Sequence, residues 1–116
     1  MSDVLVIALE DLPTSGGFSR EFIGEDHGGT GISMIFVDAA PGRGPSLHRH
    51  EYAEVFIVQE GTATFRVRDE EIEIGAGQVV VVPGGVPHGF VNSGDGPLRQ
   101  IDIHLNPRFV TEWLEG

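Results

Sequence analysis

The sequence contains no cysteine and no lysine. Without cysteine there can be no disulfide, no zinc–thiolate or iron–sulfur site and no thiol nucleophile. Without lysine there is no Schiff-base chemistry. Positive charge is scarce, with seven arginines against 18 acidic residues and a net charge of −11. Phosphate backbones and anionic lipid repel such a chain, which argues against nucleic acid or a membrane surface as partner. No apolar run approaches the roughly 20 residues of a membrane-spanning helix. The first residues carry neither a basic stretch nor a cleavage signal, so a cytoplasmic location is expected.

What is present points to short strands. The 116 residues are 40% apolar, with 17 glycines and seven prolines. Residues 1–116 are expected to form a single domain, since chains of this size rarely divide. Runs rich in β-branched residues recur at Val4–Leu9, Ile32–Val37, Val55–Val58, Thr62–Val67, Ile72–Ile74, Val79–Val82, Gly89–Asn92 and Leu98–Leu105. Turn-forming stretches such as QEG, PGGVP and SGDGP separate them. This pattern predicts an all-β sandwich or barrel. Thr62–Val67 alternates cleanly, so the hairpin it forms with Ile72–Ile74 has a solvated outer face. Val55–Val58 and Val79–Val82 are apolar on both faces and require an outer cover. One helix is predicted, Pro107–Glu115. Proline suits its first position, and Phe109 and Trp113 share a helical face four residues apart.

The chemistry concentrates on histidine. His48 and His50 lie two apart and face one side of a strand, and Glu54 keeps the same parity. A buried carboxylate beside two imidazoles is costly unless protons or a cation compensate it. A third histidine, His88, follows a Pro–Gly-rich turn. Gln100, Asp102 and His104 share one face of the last long run. An Asp102–His104 pair on the sheet wall and an inward, acid/base role for His104 are both compatible with that parity. Tyr52 lies between His50 and Glu54, as rim packing or as a phenol near the cluster. His27, in the polar loop GEDHGGT, reads as a surface residue. Arg43 and Arg49 flank the cluster, either to attract an acidic ligand or to balance local acids. Met34, Phe36, Phe56 and Phe90 are expected in the core, lining any cavity it keeps.

Residues 42–61 and 77–92 together resemble the two motifs of the cupin family. The first, G-x5-H-x-H-x3-E-x6-G, is met by Gly42, His48, His50, Glu54 and Gly61. The second, G-x5-P-x-G-x2-H-x3-N, is met by Gly77, Pro83, Gly85, His88 and Asn92. The resemblance implies a double-stranded β-helix, or jelly-roll, barrel. It also implies one divalent metal held by His48, His50, Glu54 and His88. With no thiolate in the set, iron, manganese, nickel, cobalt and zinc remain open.

Three functions follow from the resemblance. A small metalloenzyme of the dioxygenase, isomerase or lyase type would act on a small organic substrate, with His104 or Tyr52 as acid/base group. A binding module would hold a small molecule or sugar without turnover. A storage or scaffold role fits the short chain and complete ligand set poorly. A homodimer is expected from the two-faced apolar strands and from Val4–Leu9, with Val4 and Val6 at its interface.

Overall fold

The computed structural model describes residues 3–16 and 19–115, and their ordered elements are almost entirely short antiparallel strands. In chain order they are β1 (Thr14–Ser15), β2 (Ser19–Phe22), β3 (Ser33–Ala39), β4 (His48–Arg49), β5 (Glu54–Glu60), β6 (Thr62–Val67), β7 (Glu70–Gly75), β8 (Val79–Val82), β9 (His88–Asn92), β10 (Leu98–His104) and β11 (Glu112–Trp113). One sheet has the order β1-β2-β3-β10-β5-β8 and the other β11-β4-β9-β6-β7. Two such sheets facing each other make the jelly-roll barrel expected from the sequence. No helix is long and apolar enough to cross a membrane.

The interior is divided along its length. At one end Ala39, Val58, Ala63 and Leu98 are at most 1% exposed and pack with Phe56, Phe65 and Phe90. Phe65 meets Phe56 edge-on at 4.9 Å and stacks on Phe90 at 5.3 Å. Truncating one of these phenylalanines to alanine costs about 3–5 kcal/mol. The other end of the same strands carries imidazoles and carboxylates. β5 and β10 run antiparallel, so Glu54 lies opposite His104 while Val58 lies opposite Gln100.

Glycine sets the tight connections. Gly61 turns β5 into β6 at φ 88°, and a Cβ there would sit 2.4 Å from the Pro97 carbonyl oxygen. Only glycine takes that conformation at so close an approach. The turn before β9 interlocks with the first motif. Gly85 N–H donates to the His50 carbonyl at 2.6 Å, and a Cβ on Gly84 would lie 2.3 Å from the Glu51 carbonyl oxygen. Asn92 fastens the far end, its Nδ2 donating to Ala39 O and Gly96 O.

Three expectations need correction. Val4–Leu9 is not a strand. The ladder position beside β3 is filled by Ser19–Phe22, a polar stretch that hydropathy does not mark. Pro107–Glu115 is not a helix. Its backbone is spent on the sheet, with Glu112 opposite Arg49, Trp113 opposite His48, and Leu114 N–H donating to Leu47 O. Tertiary pairing overrides the helical spacing there. Met34 and Phe36 do not face the interior. On β3 the buried side is Ser33, Val37 and Ala39, and Met34 and Phe36 share the opposite face with Ile101 and Ile103 of β10.

Candidate metal centre

Four side chains from three strands and one loop converge at the polar end. His48 on β4 pairs in register with His88 on β9, and Glu54 opens β5. His50 follows β4 directly. One candidate ligand atom from each of His48, His50, Glu54 and His88 lies within 4.8 Å of the others. All four residues are buried.

The backbone fixes the tautomer of the three imidazoles. His48 Nδ1 lies 2.7 Å from Ser46 O, His50 Nδ1 2.9 Å from Val110 O, and His88 Nδ1 2.9 Å from Val86 O. A carbonyl oxygen only accepts, so each Nδ1 carries the proton and each Nε2 presents a lone pair. Those lone pairs aim at the same region as the Glu54 carboxylate. His88 Nε2 is 3.0 Å and His50 Nε2 3.2 Å from Glu54 Oε1. The His50 contact is short but misaligned, and His50 Nε2 is a buried atom with no hydrogen-bond partner. Lone pairs packed against a carboxylate repel unless each ring gains a second proton or a cation sits among them. Burial opposes the proton: it pushes His48 down to about 4, with repulsion from His88 and His50 adding to the effect. Burial would raise the Glu54 carboxyl, but the His104 contact foremost, and those of His50 and His88 when their rings carry a second proton at Nε2, outweigh it and hold the group well below the usual carboxylate range. The donor set therefore fits a divalent cation, and its nitrogen and oxygen donors suit a first-row transition metal.

His104 is placed differently. It is 3% exposed and reaches Glu54 from β10, its Nε2 3.0 Å from Oε2 and off the line of a good hydrogen bond. Its Nδ1 lies 2.8 Å from the Tyr52 hydroxyl. That oxygen accepts the Val110 N–H at 3.2 Å, and the Glu54 carboxylate beside Nε2 favours the His104 proton there, so the phenol O–H donates to Nδ1. His104 thus carries its proton on Nε2, the opposite tautomer to the other three. It does not pair with Asp102, which accepts instead from Gln100 Nε2 at 2.8 Å.

A cavity of about 470 Å³ opens beside this cluster. Phe56 and Phe90 line it, and on β3 its wall is Ile35 and Val37 rather than Met34 and Phe36. The tail contributes Phe109, Thr111 and Trp113. Phe109 meets His104 edge-on at 4.7 Å, and Trp113 lies 4.9 Å from His48. Asp102 and Glu21 also face the cavity. The parity of β10 could have pointed to Asp102; nothing in the hydropathy pattern signals Glu21. His27 lies apart from the site, stacked on Phe22 at 4.8 Å. Arg49 points away, paired with Glu112 at 2.9 and 3.0 Å.

Comparison with known proteins agrees with this fold. The family profile of the cupin domain matches residues 35–104. Protein SchB of Streptomyces halstedii is 30% identical over 111 residues, covering 88% of this chain and 77% of that protein. Oxalate decarboxylase of Bacillus subtilis, in a structure concerned with its Mn(II) centres, superposes with a TM-score of 0.77 at 23% identity. That match covers 91% of this chain but only 30% of the decarboxylase, so the chain spans about a third of its length. An uncharacterized Klebsiella pneumoniae protein with a double-stranded β-helix domain superposes with a TM-score of 0.75 at 18% identity, over 98% of this chain and 100% of that one.

Proposed function

The chain belongs to the cupin family, and from that premise we propose that it is a mononuclear metalloenzyme acting on a small organic substrate by isomerase, lyase or oxygenase chemistry. The observation that carries the reading is the set of three Nε2 lone pairs, each fixed by a carbonyl at Nδ1, gathered around one carboxylate. His48, His50, Glu54 and His88 would hold the metal. A divalent ion held there would supply a Lewis acid for a substrate oxygen.

The protein's own residues do the rest. Glu54 offsets charge, and His104 and Tyr52 hold protons at Nε2 and at the phenol oxygen beside it. Those two groups favour an enzyme over a passive binding module, because they set exchangeable protons next to the place where a substrate oxygen would bind. The rings of Phe90, Phe109 and Trp113 line the cavity beside the cluster.

The test is metal content of protein purified without added metal or chelator, by inductively coupled plasma mass spectrometry, for wild type and His88→Ala. Near one equivalent in the wild type and less than a tenth in the variant is expected. Full metal in the variant would sink the ligand assignment.

The active form is read as a homodimer. Met34, Phe36, Ile101 and Ile103 share the outer face of the six-stranded sheet, and Val79 and Val81 on β8 are 60% and 63% exposed. An apolar face of this kind suits a second copy of the chain. Light scattering at micromolar concentration should give twice the 12.5 kDa chain mass. A monomer mass would count against it.

A further inference from the structure

One cavity wall carries a carboxyl group that the metal reading leaves unused. Asp102 sits at the middle of β10, opposite Phe56 of β5 and Ile35 of β3. It is 3% exposed and faces the cavity. Among the described residues its carboxyl has one side-chain partner, Gln100, and no cation. Burial, the larger cause, pushes this carboxyl well above its usual range and favours the neutral acid, and the Glu54 charge adds to it where no cation offsets that charge. A carboxylic acid kept neutral in an apolar site donates a hydrogen bond rather than accepting a cation.

The rest of the cavity agrees. The ionisable groups facing it are Glu54 on β5, Glu21 on β2, His48, His50 and His104, and no arginine is among the described residues that line it. Arg43, in an exposed position outside that lining, donates to Gly16 O at 3.1 Å. With a divalent ion in place, +2 against Glu54 and Glu21 sums to zero. A carboxylate ligand would find no counter-charge beyond the ion itself. The walls are the rings of Phe56, Phe90, Phe109 and Trp113, and 470 Å³ lies within the roughly 300–1,000 Å³ of sites for drug-sized molecules. A two-carbon diacid would fill little of it.

We propose that the cavity takes an uncharged aromatic molecule bearing a carbonyl or hydroxyl oxygen, that Asp102 hydrogen-bonds that oxygen, and that small carboxylate anions are turned away. This names the substrate class of the metalloenzyme reading and rests on it for the cavity's role as a substrate site. Three probes test it by isothermal titration calorimetry at pH 7 on zinc-loaded protein of verified metal content: 2-acetylnaphthalene, its anionic counterpart 2-naphthoate, and oxalate. The ketone should bind at least tenfold more tightly than either anion. Asp102→Ala should weaken the ketone about tenfold, while Asp102→Asn, which keeps a donor, should stay within threefold.

Equal or tighter binding of an anion overturns the proposal, as does ketone affinity indifferent to Asp102→Ala, or no ketone binding at all. The wild-type ranking needs no variant, so it stands even where Asp102→Ala fails to fold. Protein that takes up no zinc defeats the metal reading instead, and the same titrations on the metal-free protein then decide the Asp102 proposal.

Discussion

The cavity has two polar walls, and they hold the same ring nitrogen, Nε2, toward one carboxylate in opposite protonation states. On the wall of β4, β5 and β9, His48, His50 and His88 give their Nδ1 protons to backbone carbonyls and turn bare Nε2 atoms inward. On the wall of β10, His104 takes the Tyr52 proton at Nδ1 and turns Nε2–H inward. Glu54 stands between them, Oε1 toward His50 and His88 and Oε2 toward His104. Four buried imidazoles within a few ångströms are thus not equivalent. Three are built to give electron pairs, and one is built to position the carboxylate. The difference comes from what each Nδ1 meets, a carbonyl or a phenol, and not from the histidines themselves.

Glu54→Gln breaks the comparison outright, because it removes the charge both walls share. Metal affinity, measured by competition with a chromophoric chelator, should fall at least 100-fold. Unchanged affinity would mean the imidazoles alone define the site. Acid acts on the first wall next. The folded value of His48, about 4, lies below its ordinary 6.5, so protonation favours the unfolded chain. Stability that is full above pH 6.5 is lost as pH falls through about 4, by roughly 3 kcal/mol in the limit. The melting temperature of metal-free protein should drop across that window, and less steeply in His48→Gln. A flat profile would contradict the buried, neutral imidazole.

The second wall should matter less. His104→Phe keeps the ring against Phe109 but removes Nε2–H, and should cost about tenfold in metal affinity, the lower end for groups that orient a ligand. A loss as large as that of His88→Ala would make His104 a ligand in its own right. Tyr52→Phe is the mildest change. It deletes one hydroxyl that bridges Val110 and His104, and should cost about 1 kcal/mol of stability with metal content intact.

The same two walls divide what the sequence made legible. The first was readable because its spacing is local: His48, His50 and Glu54 lie within seven residues, and His88 follows a turn that glycine and proline announce. The second depends on which face of β10 points inward. There hydropathy misleads, because Gln100, Asp102 and His104 are buried while Ile101 and Ile103 face outward. β3 misleads in the same way, with its large Met34 and Phe36 outside and Ile35 and Val37 lining the cavity. In the tail, Phe109 and Trp113 are four apart, a spacing that satisfies a helical turn and an extended strand alike. Thr111 between them also lines the cavity, which settles the period as two. Asp102 was visible as a parity. Its isolation from any cation could be known only from the packing around it.

The carbonyl that holds His50 belongs to Val110, 60 residues further along the chain. During synthesis the two motif histidines emerge long before the peptide group that decides which of His50's nitrogens is bare. Until Val110 has been made and has folded back, that ring is free to present either nitrogen. An ion met at that stage would find two incompletely oriented rings rather than a finished nest. A complete set of oriented donors therefore depends on the segment around Val110 being in place. Loss of that segment would free the His50 ring to turn and would remove the strand paired with β4.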